Sequence, residues 1–184
     1  PLATMAERES TICDGRRAMR IGAALLPAAP LADGTAAWFR LIAPEDAQLI
    51  LDWQLFPDTR RYALNPDPPT PEEHHRWFAG KLQSDSDWFL LAETAEGPIG
   101  FVRLDWRGDT AGFPIFLISV ATAPGHYRRG VGGALLRAAR RLAPRARLLA
   151  QVLPQNTASL RLFESLGYRP DDDGYLVSIP ENAG

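Results

Sequence analysis

The segment that decides the fold is "ATAPGHYRRGVGGALLRAARRLAPRARL", Ala121–Leu148. It follows an apolar run and places glycines at Gly130, Gly132 and Gly133 before an arginine-rich stretch with helical periodicity. A strand, a glycine loop and a helix in this order predict an anion site, because the first helical amides lack a partner within the helix and the helix dipole is positive there. Glycine also lets a ligand approach the backbone closely. We therefore expect a pyrophosphate to fit this loop.

The charge around this loop is one-sided. The stretch from residue 110 to residue 163 contains no Asp or Glu, although the whole chain has a formal net charge of −2. It contains eight arginines, namely Arg128, Arg129, Arg137, Arg140, Arg141, Arg145, Arg147 and Arg161. Such surroundings attract anions over a distance. A tight turn beside a solvated basic helix face is the alternative that the loop alone leaves open.

Two common nucleotide-binding patterns are absent. A P-loop requires GxxxxGK[ST], which this chain lacks. The dinucleotide pattern GxGxxG is incomplete, and no acidic residue follows it about 20 positions later. The arginine helix lacks the interleaved aromatic residues of a nucleic-acid surface, and the net charge is negative, so we expect no nucleic-acid partner.

Composition excludes several further classes. The 184 residues suit one domain with an extension. The single cysteine, Cys13, excludes an internal disulfide framework, and the three histidines show no metal-ligand spacing, so we expect no metal. No apolar run reaches the roughly 18 residues of a membrane span, so we expect no membrane partner and a cytoplasmic location.

From Trp38 onward the pattern predicts a mixed α/β fold, with the element order β-α-α-β-β-β-α-β-α-β-β. Before "PEEHHRWFAGKLQ", Thr70 is expected to cap a helix, with Pro71 at its first position and Glu73 completing a capping box. "GFPIFLISVAT" is expected to be a strand buried on both faces. A short hairpin should end the chain.

Residues 1–35 differ from the rest of the chain. "TMAERESTICDGRRAMRIGAALL" has helical character, and "PAAPLADG" is typical of a linker. We expect a loosely attached leader over residues 1–35 and one folded domain over residues 36–184.

Two segments, "VATAPGHYRRGVGGALL" and "NTASLRLFESLGY", resemble the two signatures of the GNAT superfamily of N-acetyltransferases. The family consensus is R/Q-x-x-G-x-G/A after a strand, followed downstream by Asn-x-x-A/S-x-x-L-Y/F-x-x-x-G-F/Y. The resemblance spans roughly residues 38–180. It implies a splayed, mostly antiparallel sheet flanked by helices, and acetyl-CoA as the cosubstrate of an N-acetyltransferase.

The resemblance implies roles for several residues around the cosubstrate. The pantetheine arm would lie along the strand at Val120 and Thr122. Asn156 would face the cosubstrate, and Phe163 would pack near its thiol end. The pyrophosphate loop would comprise Tyr127, Arg128, Arg129, Gly130, Val131, Gly132 and Gly133.

The chain departs from the family pattern at two of these positions. Tyr127 replaces the consensus Arg or Gln, which matters little if backbone amides hold the phosphates. Phe163 replaces a tyrosine proposed to protonate the leaving thiolate, and a phenyl ring has no proton to give. Tyr168 is the nearby phenol that could substitute, or it is a strand residue without this role. In a direct transfer through a ternary complex, His74, Glu93, Ser119 or water could accept the proton of the acceptor amine. A surface position on an amphipathic helix is the alternative for His74.

The acceptor region, "DWQLFPDTRRYALNPDPPTPEEHHRWF", resembles that of the amino-sugar N-acetyltransferases of the pseudaminic acid pathway. This resemblance implies a small-molecule amine acceptor, a nucleotide-linked amino sugar. Its substrate side would comprise Arg60, Arg61, Asn65, His74 and Trp77, with Glu93 close by. Arginine suits a diphosphate and an aromatic ring suits a sugar face. Packing in the helix core is the alternative for Trp77.

Four further alternatives stay open. Ribosomal-protein N-terminal acetyltransferases share a looser version of the acceptor pattern, and a non-catalytic acyl-CoA-binding module is the alternative outside enzymes. The leader resembles the C-terminal tail of the nucleotide-sugar hydrolase of the same pathway, so the chain could be the acetyltransferase part of a bifunctional protein. A homodimer also stays open.

Overall fold

The computed structural model describes residues 17–180, apart from the side chains of residues 17, 18 and 20. The helices are α1 Arg17–Ala24, α2 Ala47–Leu55, α3 Pro57–Arg60, α4 Pro71–Gln83, α5 Val131–Leu142 and α6 Thr157–Ser165, and a 3₁₀ turn covers Pro44–Asp46. The strands are β1 Ala29–Pro30, β2 Ala36–Leu41, β3 Trp88–Thr94, β4 Gly97–Thr110, β5 Phe113–Thr122, β6 Arg147–Ala150, β7 Arg169–Pro170 and β8 Leu176–Ser178.

The strands form one sheet in the order β1-β2-β3-β4-β5-β6-β8-β7. Every neighbouring pair is antiparallel except β5 and β6, which run parallel. The predicted mixed α/β fold with a mostly antiparallel sheet is confirmed.

The sheet opens between its two parallel strands. Residues 115–117 of β5 pair with residues 147–149 of β6. Beyond them β5 continues to Thr122, paired only with β4 on its other side. The prediction that β5 is buried on both faces is wrong, because within this strand only Phe116 and Ile118 are buried. Because the sheet opens here, residues 118–122 of β5 line a cavity.

Helices cover both faces of the sheet, as the alternation along β3 shows. Leu90 belongs to the core beneath α5, with Leu135, whereas Leu91 belongs to the core beneath α2 and α4, with Ile50 and Phe78. Successive strand residues point to opposite faces, so this alternation places the sheet between two helical layers.

The start of α4 follows the sequence prediction. Thr70 Oγ accepts a hydrogen bond from the Glu73 amide at 3.2 Å, and Glu73 Oε2 accepts one from the Thr70 amide at 2.8 Å. Pro71 occupies the first helical position. This capping box fixes the start of α4, which carries three side chains of the candidate site described below.

The described part of the leader packs into the domain. Strand β1 pairs with residues 36 and 37 of β2, and Ala23, Ala29 and Leu31 are buried in the main core. The structure therefore differs, from residue 17 onward, from the expectation of a loose attachment up to residue 35, because these apolar side chains pack into the main core. Cys13 and most of the segment that resembles a hydrolase tail lie outside the described residues. Between residues 17 and 180, no helix is long and apolar enough to cross a membrane.

Candidate active site

A cavity of about 1660 Å³ opens at the split in the sheet. One end, the donor end, lies between the open part of β5, the loop 126–130 and the first turns of α5 and α6. The other end, the acceptor end, lies between the segment 58–69 and α4. The predicted residues that line it are Arg60, Arg61, Asn65, His74, Trp77, Ser119, Val120, Thr122, Tyr127, Arg128, Gly130, Val131, Gly132, Gly133, Asn156 and Phe163.

The glycine loop has the backbone geometry of an anion site. Gly130 caps α5 with φ +82°, a conformation that glycine adopts without strain. The first bond of this helix runs from the Ala134 amide to the Gly130 carbonyl, so the amides of residues 131–133 have no acceptor within the helix. Arg128 also has a positive φ, of 64°, which is rare for a residue with a side chain and typical of functional loops. This donor set fits a pyrophosphate.

Arg129 differs from its neighbours in the loop. Its side chain does not line the cavity and instead pairs with Asp33 at 2.9 Å. The predicted role of Arg129 as a direct phosphate ligand is therefore not supported by its position. Sequence reasoning could not find this contact, because the two residues are far apart in the chain.

Two predicted residues of α6 lie at the donor end. Asn156 caps the helix, and its Oδ1 accepts from the Ser159 amide at 3.2 Å. Phe163 is buried, and its ring packs at 4.9 Å, edge to face, against that of Tyr168. Phe163 thus forms the wall of the cavity, with Tyr168 behind it.

Tyr168 does not reach the cavity. It lines a separate space of about 210 Å³ with Arg140, and its buried hydroxyl has no partner among the described residues. Burial raises the pKa of this phenol to about 12, against a small opposing effect of Arg140. The expected role of Tyr168 as proton donor is therefore corrected, because Phe163 separates the two spaces and the burial that raises the pKa stabilises the neutral form.

His74 is almost completely buried in the wall of the acceptor end. Its Nε2 lies 2.8 Å from the Ala47 carbonyl, which can only accept, so Nε2 carries the proton and Nδ1 is the basic nitrogen. Nδ1 has no partner among the described residues. Burial lowers the pKa of His74 below its usual 6.5, which keeps the ring neutral near pH 7.

Arg103 is a site residue that the sequence analysis missed. Its guanidinium lies 5.1 Å from the ring centroid of Trp77, and its Nη2 donates to Ser119 Oγ at 3.4 Å. Asp105 fixes the guanidinium from behind, accepting from Nε at 2.8 Å, and is itself bound by Lys81 at 2.6 Å. The arginine thus joins the aromatic platform of the acceptor end to the open strand β5.

The acceptor loop is held partly by its own arginine. Arg60 Nη1 donates to the carbonyls of Asn65 and Asp67 at 3.3 and 3.1 Å, and the Asn65 side chain accepts from the Asp67 amide. Arg61 is largely exposed and lies 3.5 Å from Asp58. Both arginines line the acceptor end.

Glu93 lies away from the cavity. Its carboxylate accepts from Arg40 Nε at 3.0 Å, and Arg40 also pairs with the buried Asp46. The structure therefore corrects the expectation that Glu93 contributes to the substrate side, because it belongs to an ion-pair network between β2 and β3. In its place, three carboxylates that the sequence analysis missed line the acceptor end, namely Asp58, Asp67 and Glu73.

Comparison with known proteins shows the family. A model of the acetyltransferase (GNAT) domain matches residues 37–169. The chain therefore belongs to the GNAT acetyltransferases, and it is an acetyl-CoA-dependent N-acetyltransferase. Within residues 17–180, no group of three or more His, Cys, Asp or Glu side chains is placed to hold a metal ion.

Several solved structures share the fold. The GNAT domain of S. lividans PAT is 25% identical, with 82% of this chain and 93% of that chain covered and a TM-score of 0.65. The aminoglycoside acetyltransferase AAC(6')-Ib in complex with coenzyme A is 19% identical, covering 78% of this chain and 94% of that chain, with a TM-score of 0.64. A GNAT acetyltransferase from Streptococcus pneumoniae is 21% identical, covering 73% and 86%, with a TM-score of 0.58. No curated protein matches the chain.

Proposed function

We propose that the enzyme acetylates the primary amine of a nucleotide-linked amino sugar. The observation that carries this proposal is the lining of the acceptor end. It combines an aromatic platform, Trp77 with Arg103, and two further arginines, Arg60 and Arg61. A sugar ring suits the aromatic face, and a diphosphate suits guanidinium groups.

The donor end provides separate groups for each part of acetyl-CoA. The free amides of residues 131–133 and the side chain of Arg128 would hold the pyrophosphate. The open backbone of β5 near Val120 and Thr122 would pair with the amides of the pantetheine arm, as a further strand would. Phe163 would pack near the thioester. Acetyl-CoA, when bound, supplies a carbonyl already activated for attack by an amine.

Ser119 has the geometry of a proton donor in this site. Arginine can only donate, so the bond from Arg103 makes Ser119 Oγ the acceptor and leaves the hydroxyl proton free for another partner. We place this proton at the reacting centre, where it would stabilise the developing oxyanion or the leaving thiolate. A backbone amide of β5 near Val120 would add a second donor. Ser119 thus replaces part of the function lost with the tyrosine hydroxyl at position 163.

His74 is the proposed acceptor of the amine proton. Its Nδ1 is unprotonated and has no partner among the described residues, as a general base requires. Burial lowers the pKa of His74, so Nδ1 is unprotonated in neutral solution and is available to accept a proton. Because Nδ1 is fully buried, the proton would reach it only after the wall at α4 adjusts to the bound acceptor.

A second class of acceptor is favoured by a different observation. Asp58, Asp67 and Glu73 line the same end and suit a polycationic amine. A neighbour of similar fold, AAC(6')-Ib, is known in complex with coenzyme A and kanamycin. An aminoglycoside is therefore the competing small-molecule acceptor, and a peptide N-terminus is the competing macromolecular one.

The assignment is tested by thiol release from acetyl-CoA with three acceptors in parallel. These are a UDP-linked 4-amino sugar, kanamycin, and a peptide with a free N-terminus. We expect turnover with the sugar nucleotide, and we expect Arg103→Met to raise its KM about 10-fold or more while the KM for acetyl-CoA changes little. Turnover with kanamycin alone or with the peptide alone would overturn the choice of acceptor and leave the donor end unaffected.

A further inference from the structure

Residues 32 and 33, in the turn between β1 and β2, contact the glycine loop, and neither of them lines the cavity. The Ala32 amide donates to the Arg129 carbonyl at 2.9 Å, and Asp33 Oδ2 accepts from Arg129 Nε at 2.9 Å. Asp33 is itself fixed, since its Oδ1 accepts from the Thr35 amide at 3.0 Å. These bonds, the Thr35 amide first and Arg129 after it, lower the pKa of Asp33 to about 2. The carboxylate is therefore charged and held in place at every physiological pH.

Arg129, held by Asp33, in turn contacts His126, a residue that lines the cavity. Its Nη1 lies 3.0 Å from His126 Nδ1, and His126 lines the cavity whereas Arg129 does not. A guanidinium has no lone pair to offer, so His126 Nδ1 must be the accepting nitrogen. The neutral ring then carries its proton on Nε2. The chain Asp33–Arg129–His126 therefore selects one tautomer, and that tautomer has a single N–H donor.

We propose that Asp33 and Arg129 are positioning residues that fix His126, so that its Nε2–H donates to the diphosphate of acetyl-CoA. This inference rests on the donor half of the proposed function. It does not depend on which amine is the acceptor. An unpaired carboxylate beside the phosphate loop would repel the ligand, and the positive charge of Arg129 offsets the negative charge of Asp33. Residues 31–33 are then part of the cosubstrate site, although they lie nearly 100 positions before the loop.

The test measures the affinities of CoA and of pantetheine, which lacks the diphosphate, by calorimetry without an acceptor. We expect His126→Phe to weaken CoA binding about 10- to 100-fold, the range for a hydrogen bond to a charged group, and to leave pantetheine binding unchanged. His126→Gln keeps an N–H near the position of Nε2, so it should lose about threefold or less. His75→Phe, at an exposed histidine of α4, is the matched control and should change neither affinity.

Three results would overturn the role of His126. They are an unchanged CoA affinity in His126→Phe, an equal loss for CoA and pantetheine, or an equal loss in His126→Phe and His126→Gln. The last two would indicate a structural role for the ring. All three are read from binding alone, so they are distinct from a failure of the acceptor assignment, which appears only in turnover.

The positioning pair is tested by a double-mutant cycle. Asp33→Asn keeps an oxygen for the Thr35 amide but loses the charge that holds Arg129. We expect it to weaken CoA binding severalfold in the wild-type background and to have no further effect in His126→Phe, because both changes remove the same contact. Additive losses would show that Asp33 acts on CoA independently of His126, and would contradict the proposed chain.

Discussion

The hydroxyl of Ser119 is the proposed proton donor of the reaction. Its hydroxyl accepts from Arg103 at 3.4 Å and lies on the open part of β5. We expect Ser119→Ala to lower kcat about 10- to 100-fold, at the lower end of the effects of acid–base groups, with little change in KM for either substrate. Steady-state kinetics measures both. Ser165→Ala, on the exposed end of α6, is the control, and an unchanged kcat in Ser119→Ala would exclude the hydroxyl from the reaction.

Tyr168 is the residue whose phenol the structure separates from catalysis. We expect Tyr168→Phe to keep kcat within about twofold, since the hydroxyl does not line the cavity. A loss of tenfold or more would restore a catalytic role to it.

The same substitution changes stability at alkaline pH. The pKa of Tyr168 is raised from 10.0 to about 12, so the unfolded chain ionises first as the pH rises. The buried neutral phenol therefore contributes about 2 to 3 kcal/mol to the free energy of unfolding below pH 10. This contribution is lost as the pH rises through about 12. Denaturant unfolding at pH 8 and pH 11 should show that Tyr168→Phe loses less stability over this interval than the wild type. Equal losses would contradict the burial of the phenol.

The sequence predicts those site residues whose role depends on neighbours within a few positions of the chain. Gly130 and Gly132 could be identified because a loop before a helix requires them within a few positions. Arg103 and Asp33 could not, because the side chains that give them a role in the site are distant in the sequence and meet them only in the folded protein. Tyr168 was misplaced because the turn at Gly167, φ +84°, sends the chain behind Phe163, which spacing alone does not reveal.

Among the elements, the contact between β4, β5 and α5 sets the width of the donor end. A Cβ on Gly100 would lie 2.6 Å from the Ala121 carbonyl oxygen and 3.0 Å from Val131 Cγ1. Gly100→Ala should therefore destabilise the protein by about 1 to 3 kcal/mol, as overpacking does, and should weaken CoA binding. Thermal unfolding and calorimetry measure the two effects.

Gly80→Ala is the matched control for Gly100→Ala. Apart from its chain neighbours and the backbone of its own helix, a Cβ placed there would meet no atom within 4 Å, and Gly80 is an exposed residue of α4. We expect it to stabilise the protein by about 0.8 to 1 kcal/mol through helix propensity. A Gly100→Ala variant as stable as the wild type would show that the strands can move apart at no cost.

The sequence predicts the long elements well and the short ones poorly. Helix α4 follows from its capping box and α5 from its glycine loop, because both signals lie within one turn of the helix start. The two-residue strand β1 and the four-residue helix α3 carry no periodicity of their own. They form because the sheet edge and the acceptor loop give them partners, which is a property of the tertiary structure.

In the whole molecule, residues 17–35 contribute to the core of the folded domain. Met19 and Leu31 are buried in the described structure, and β1 pairs with β2. Truncation to begin at residue 36 should cost at least about 3 kcal/mol from these two side chains alone. The loss should lower Tm by roughly 10 °C and weaken CoA binding. A chain beginning at residue 17 is the control. Equal stability of the two chains would show that residues 17–35 are only loosely attached to the domain.

The most direct test of the proposed N-acetylation is the initial rate of thiol release from acetyl-CoA with a UDP-linked 4-amino sugar. The matched acceptor is the same sugar nucleotide with a hydroxyl in place of the amine. We expect saturable thiol release with the amine and none above background with the hydroxyl. Equal rates with both acceptors would show that the amine is not acetylated, and would contradict the proposed reaction of this enzyme.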